Sequence, residues 1–335
     1  MRILFLARLY VPHIGGVEKH VEEIAKILVK SGHKVRVLTG KFENSLKEKE
    51  KIDGVYIKRF CYPKVKFFGL FYIWFWLLAN KNLIDDSDVI HIHDVFIWYL
   101  PFRFLYPAKP VYVTFHGYEH YPLRLHYKLI RKLSEILSWG NICIGSFIGK
   151  WYGVRPSFIS YGAVDTNLFK PTETKPLYDA IYWGRLDEQS GFLNYLELIK
   201  RKKLKVLILG DGIYKERVAG LAEVRGFVKG PHKYISMGRY AFVSRYLAIM
   251  EAFAAKRLVF ANYDNPLKRD YLKMTPFLKW MIIEKSPRKL AEKIEYYSKR
   301  QDKANELIES AHNWVKTQTW EKLAGQYIKL WGFKS

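Results

Sequence analysis

The chain has little cysteine, little acid and no apolar run long enough to span a bilayer. Its two cysteines, Cys61 and Cys143, lie far apart and outside any CxxC spacing. That excludes a disulfide framework and a cysteine zinc site, and fits a reducing cytoplasm. Asp and Glu number 32 against 56 Lys and Arg, a formal charge of +24. Such a surface favours phosphates, anionic lipid or nucleic acid without choosing among them. The one membrane-like stretch, Phe67 to Ala79 (FFGLFYIWFWLLA), falls short of the ~20 residues a spanning helix needs. A buried helix is the preferred reading. An interfacial segment on acidic lipid, flanked by Lys64, Lys66 and Lys81, is the alternative. No cleavable leader pattern opens the chain, since Met1 runs directly into core-like residues. GxSxG and GxGxxG are both missing, which disfavours a Ser-His-Asp hydrolase and a dinucleotide dehydrogenase.

What is present is a repeated alternation of strands and helices. The 335 residues are 49% apolar, enough for two domains with real cores. Ile3 to Ala7 reads as a buried parallel strand and Val17 to Val29 as a helix, with YVPHIGGVEKH (Tyr10 to His20) at their junction. Gly15 and Gly16 allow positive φ and a close ligand approach, and a helix N-terminus there suits an anion. Gly32 reads as the helix C-cap, Lys34 to Gly40 as a strand, Lys41 to Lys51 as a solvated loop and Val55 to Phe60 as a weak strand. In DVIHIHD, a strand puts His91 and His93 on one face. The two histidines with Asp94 could ligate a metal, yet no further ligand at a convincing spacing accompanies them, so a structural or substrate-lining role is preferred. Val111 to Phe115 reads as a strand ending at His116 and Gly117, where ligands of an open parallel sheet sit.

Ile142 to Ile144 is a further strand, and Tyr161 to Pro171 has the composition of a connection. The alternation then restarts: Ala180 to Trp183 as strand, Gly191 to Lys200 as helix, Lys205 to Leu209 as strand, Gly210-Asp211-Gly212 and another helix. Tyr240 to Val243 is a strand leading through Ser244, Arg245 and Tyr246 into the helix LAIMEAFAAK, and Leu258 to Ala261 is the next strand. Glu251 lies among apolar helix neighbours, which points to a hydrogen-bond acceptor turned inward. The C-terminal third reads as helical, ending in Trp320 to Trp331.

Five blocks in register resemble glycosyltransferase family 4, whose members are retaining GT-B enzymes using nucleotide sugars: PHIGGVEKHVEEIAKILVKSGHKVRVLTG, DVIHIHD with VTFHG, YGAVDTNLFKP, YWGRLDEQSG and SRYLAIMEAFAAKRLVFA. TWEKLAGQYIKLW is similar to the tail helix of that fold. The resemblance implies an α/β GT-B fold: two Rossmann-like parallel-sheet domains, 1–165 and 166–315, facing a cleft, with helix 316–335 crossing back to the first. It implies a donor site drawing on Gly15, Gly16, Arg185, Gly210, Ser244, Arg245, Tyr246, Leu247 and Glu251. Arg185 would grip the diphosphate, His116 would contact the transferred sugar, and Glu251 would hold a ribose hydroxyl. Two departures stand out, Val243 where the family has the first carboxylate of its E-x7-E pair, and Ser190 where it has a lysine. Arg245 is the candidate to supply the missing charge.

The function expected is a retaining, metal-independent hexosyltransferase with no cofactor beyond its nucleotide-sugar co-substrate. A saccharide or lipid-linked acceptor is expected, and a cytoplasmic location with peripheral attachment to an anionic membrane surface. The alternatives are a catalytically silent GT-B protein that binds a nucleotide sugar or scaffolds a partner, and a nucleotide-sugar epimerase. Nucleic acid is disfavoured as a partner, because basic residues are spread along the chain and no binding motif is recognisable.

Overall fold

The computed structural model describes residues 1–61, 68–171 and 175–332. They form two compact units, Met1–Ser160 joined by the chain from Trp320 onward, and Tyr161–Thr319. The first contains, in order, β1 (Arg2–Ala7), α1 (Gly16–Lys30), β2 (Lys34–Lys41), β3 (Lys49–Ile52), β4 (Val55–Cys61), α2 (Gly69–Ala79), α3 (Asn82–Asp85), β5 (Val89–His93), α4 (Phe96–Leu105), β6 (Val111–His116), α5 (Leu125–Leu137), β7 (Gly140–Ile144), α6 (Phe147–Tyr152) and β8 (Phe158–Ser160). Ile3 to Ala7 are buried throughout, as a strand with helices on both faces of its sheet requires. The strands run in the order β3-β4-β2-β1-β5-β6-β7-β8, parallel except for β3 against β4. Strand order reverses between β1 and β5. The segments leaving those two strands therefore open a crevice at their carboxyl ends.

The second unit contains β9 (Tyr178–Trp183), α7 (Phe192–Lys202), β10 (Val206–Leu209), β11 (Glu223–Val224), α8 (His232–Ile235), β12 (Gly238–Phe242), α9 (Tyr246–Ala254), β13 (Leu258–Asn262), α10 (Pro266–Lys273), β14 (Ile282–Glu284), α11 (Pro287–Lys299) and α12 (Gln301–Val315). Its six strands are all parallel, in the order β11-β10-β9-β12-β13-β14, and the reversal falls between β9 and β12. Aromatic residues fill the core between this sheet and its helices, with Tyr195 stacked on Phe242 at 5.3 Å. The last helix, α13 (Trp320–Leu330), packs against α1 in the first unit.

Four sequence expectations change. The end of the charged segment 41–51 is a strand, because Asp53 and Gly54, with φ of 49° and 81°, close a two-residue hairpin between β3 and β4. The helix expected after Gly212 is a single 3-10 turn, Lys215–Val218, since Gly220 at φ 75° turns the chain toward β11. The aromatic stretch is not a buried helix. In α2 only Ile73 and Leu77 are buried, while Phe68, Phe71, Phe75 and Leu78 face outward. Phe67, Lys64 and Lys66 lie outside the described residues. The stretch after β13, expected to be helical, also contains a strand, β14, which completes the second sheet.

Candidate functional site

In the first unit the crevice is lined by imidazoles. β5 carries His91 and His93 inward together, β6 ends on His116, and α1 contributes His20 one turn after Gly16. A hydrogen-bond chain orders them. Trp331 Nε1 donates to His91 Nδ1 (3.0 Å), so His91 carries its proton on Nε2 and donates to Thr114 Oγ1 (2.7 Å). The Thr114 hydroxyl donates to the Tyr327 oxygen (2.9 Å), and the Tyr327 hydroxyl donates to His20 Nε2 (2.8 Å). Burial holds all four imidazoles neutral: His20 is lowered to about 3, and His91, His93 and His116 well below the usual histidine value, with neighbouring imidazoles adding to the effect.

His93 Nδ1 and His116 Nε2 lie 3.0 Å apart, and His93 Nε2 has no partner among the described residues. An unmet acceptor is cheaper than an unmet donor, so His93 donates. His116 then keeps its hydrogen on Nδ1 and is a neutral donor at the strand end, suited to a sugar hydroxyl. Its backbone is held as well: its N–H donates to Asp94 Oδ1 (2.9 Å), and its carbonyl accepts from Arg131, which also pairs with Glu119 at 3.0 Å. Asp94, weighed in the sequence only as a metal ligand beside the two histidines, instead holds the His116 backbone from a turn at φ 61°.

Gly15 and Gly16 do open α1, but not by positive φ. Gly15 is extended, at φ −170°. Its lack of a side chain makes room for Glu18, whose Oε2 lies 2.1 Å from where a Cβ would stand and whose Oε1 pairs with His13 at 3.0 Å. The protein's own carboxylate thus already complements this helix N-terminus.

In the second unit Arg185, Ser244 and Arg245 sit at the carboxyl ends of β9 and β12, the two strands that flank its reversal point. Arg185 is 62% exposed and its Nε pairs with Asp187 at 3.3 Å. Glu251, on α9, is buried and accepts a hydrogen bond from Trp183 Nε1 (2.7 Å), the last residue of β9. The inward orientation expected for Glu251 is the one observed. Trp183 was not foreseen, although a tryptophan ending a strand before GRL carries a donor that needs a partner.

The N-terminus of α9 differs from expectation. Tyr246 N–H donates to the Tyr271 hydroxyl (3.0 Å), and the two rings stack at 4.0 Å. Ser244 Oγ donates to the Ser190 carbonyl (2.6 Å). Both groups are engaged within the protein, because burial obliges each to find a partner. Leu247, half-buried, packs toward Gly162. Arg245 reaches Gln189 Oε1 (3.0 Å), which brings its guanidinium beside Ser190. Val243 is buried and contributes no polar atom.

Gly210 serves the turn itself. A Cβ there would lie 1.9 Å from the Gly184 carbonyl oxygen, because the segments after β9 and β10 press backbone to backbone. We expect Gly210→Ala to lower the unfolding free energy by about 3 kcal/mol, read by chemical denaturation, with the Arg185 turn displaced.

Residues 14–152 match the profile of Glycosyltransferase Family 4. No curated protein matches the chain. Among solved structures it is similar to sucrose-phosphate synthase from Thermosynechococcus elongatus (TM-score 0.80, 15% identity, 98% of both chains covered). Anabaena HepE in complex with UDP and glucose (0.74, 14%, 98% of both) is a second likeness. A third is WaaG, a glycosyltransferase involved in lipopolysaccharide biosynthesis (0.64, 12%, 97% of this chain and 98% of that one). The chain has the GT-B fold of these glycosyltransferases. The residues that match the family profile all lie in the first unit.

Proposed function

We propose that the protein is a retaining glycosyltransferase that moves a hexose from a nucleotide diphosphate sugar to a lipid-linked or glycolipid acceptor at a membrane surface. The observation that carries the transfer reading is that Arg185 and Arg245 each follow one of the two strands flanking the reversal point of the second sheet, with Glu251 buried against Trp183 at the end of β9. The arginines suit a diphosphate whose leaving oxygen gains charge in the transition state. Glu251 suits a ribose hydroxyl. His116, a neutral donor, suits a hydroxyl of the transferred sugar. Cationic side chains here do the work that a metal ion does elsewhere. HepE holds UDP and glucose, and a further Anabaena HepE complex contains UDP-glucose, which makes UDP-glucose the first donor to try. Product analysis by NMR tests retention: an α-linked product from the α-linked donor supports it, and a β-linked product contradicts it.

The acceptor reading draws on the surface of the first unit. α2 packs on α4 and α4 on α5. Outward lie Phe71 and Phe75 of α2, Phe104 and Leu105 of α4, and a stripe on α5 from Leu125 through Leu129 to Ile136. Phe75 is 69% and Leu125 68% exposed. No helix among the described residues is long and apolar enough to cross a membrane. An apolar face of this extent on a chain of charge +24 fits the boundary of an anionic bilayer. WaaG's part in lipopolysaccharide biosynthesis agrees with a lipid-borne acceptor. We expect Phe71→Ser with Phe75→Ser to weaken sedimentation with anionic vesicles at least tenfold, since each ring contributes on the order of 2 kcal/mol when buried. Equal binding by the double variant would remove this surface from the account.

A further inference from the structure

Lys268 is completely buried and has no carboxylate within ion-pair distance among the described residues. It lies in the first turn of α10, where its N–H is capped by Asn265 Oδ1 (2.9 Å). Its side chain runs beneath the site just described. Nζ donates to the carbonyl oxygens of Ser244 (2.7 Å) and Gln189 (3.1 Å), and lies 4.9 Å from the centre of the Tyr271 ring. Those two carbonyls belong to the segments that carry Arg245 and Arg185. A neutral amine has two N–H donors, and two acceptors are present. An ammonium would bring a third donor and a charge without a counter-ion into a dry site.

We propose that Lys268 is a further cation of the donor site, stored as an uncharged amine in the empty protein and protonated from solvent when a diphosphate settles against Arg185 and Arg245. The inference rests on the donor reading above. The groups that face the amine agree with it. Arg245, from the start of α9, opposes a charge on Lys268, while Asp264, before α10, and Asp187, after β9, favour one; Tyr271 of α10 is itself held protonated by burial. Desolvation is the larger influence, and with Arg245 it keeps the amine well below the ordinary lysine range. The negative charge of a diphosphate bound at Arg185 and Arg245 adds to the aspartates' influence and offsets that of Arg245. Lys268 acts through the carbonyls it holds and through its charge, so it is a positioning residue for the loop around Ser190.

Two measurements test this. The first needs no ligand: unfolding of the wild type and Lys268→Met is compared between pH 7 and 9.5. The unfolded chain holds a proton on this lysine up to about pH 10.4 and the folded chain does not, so wild-type stability rises with pH relative to the variant. The ratio of the two unfolding constants is expected to change about tenfold per pH unit. A ratio independent of pH means that the folded protein carries an ammonium, which overturns the proposal. The second is calorimetry with UDP, GDP and ADP at pH 8 in Tris, HEPES and MOPS, whose ionisation enthalpies differ. The bound nucleotide should draw about one proton from the buffer, and Lys268→Met should lose that uptake and bind at least tenfold more weakly. Binding without uptake overturns the role of Lys268 and leaves the donor reading standing. Failure of all three nucleotides to bind overturns both, whatever the first measurement gives.

Discussion

Below pH 6 the first unit should lose stability steeply. His20, His91 and His93 are almost completely buried and neutral, whereas in the unfolded chain each takes a proton near pH 6.5. Their folded values are depressed, so the stability they allow is complete above pH 6.5 and is lost as pH falls through that value. At pH 5 His20, lowered to about 3, costs about 2 kcal/mol, and His91 and His93, held well below the usual value by the same burial, add to it, against the 5–15 kcal/mol typical of a whole domain. Denaturant titrations between pH 8 and 5 should show stability falling at the acid end by more than the ~1.4 kcal/mol per pH unit of a single imidazole. A flat profile would mean that the imidazoles are charged in the native state. The hydrogen-bond chain from Trp331 to His20 would then run otherwise than assigned. Because Tyr327 lies on α13 and Trp331 directly follows it, release of that helix should accompany the acid transition.

The second large effect concerns Glu251. Glu251→Gln preserves an oxygen for Trp183 Nε1, so the fold should hold, with a melting temperature close to the wild type. The substitution replaces a carboxylate oxygen by an amide donor and removes the charge. A charged hydrogen bond contributes about 1.5–3 kcal/mol, so donor affinity should fall roughly 10- to 150-fold. Glu251→Ala adds an unpartnered indole N–H and should also destabilise by about 1–3 kcal/mol. Binding of the donor by Glu251→Gln at full strength would show that the carboxylate serves only Trp183. The pair of variants separates the architectural part of Glu251 from its part in recognition.

Much of the fold was legible because a parallel sheet buries its strands on both faces. Ile3 to Ala7, Val111 to Phe115 and Leu258 to Ala261 are apolar runs that could hardly lie elsewhere, and each is a strand. β3 was hidden because an edge strand of alternating charge reads as loop; its signal was the Asp53-Gly54 dipeptide. The aromatic run of α2 was misjudged because hydrophobicity does not report which face of a helix has a partner. His116 stood out because it ends a strand, and a sheet's carboxyl edge is where chemistry collects; Arg185 and Arg245 stood out only through the family resemblance. What sequence could not show is how polar groups are spent. Ser244 gives its hydroxyl to Ser190, Tyr246 gives its N–H to Tyr271, and Gly210 makes room for a carbonyl. Each follows from contacts between residues distant in the chain, and so does the burial of Lys268 beneath them.

Donor binding is the measurement that bears most directly on the account. Thermal unfolding of the purified protein is followed with UDP-glucose, GDP-mannose, UDP-GlcNAc and UDP-galactose, each beside its free nucleotide, for the wild type and Glu251→Gln. A ligand at a hundred times its dissociation constant stabilises by about 2.7 kcal/mol, a shift of a few degrees for a unit of this size. The account predicts such a shift with one sugar nucleotide, reduced or abolished in Glu251→Gln. Absence of a shift with every nucleotide, or an equal shift in the variant, would contradict a donor site built on Arg185, Arg245 and Glu251.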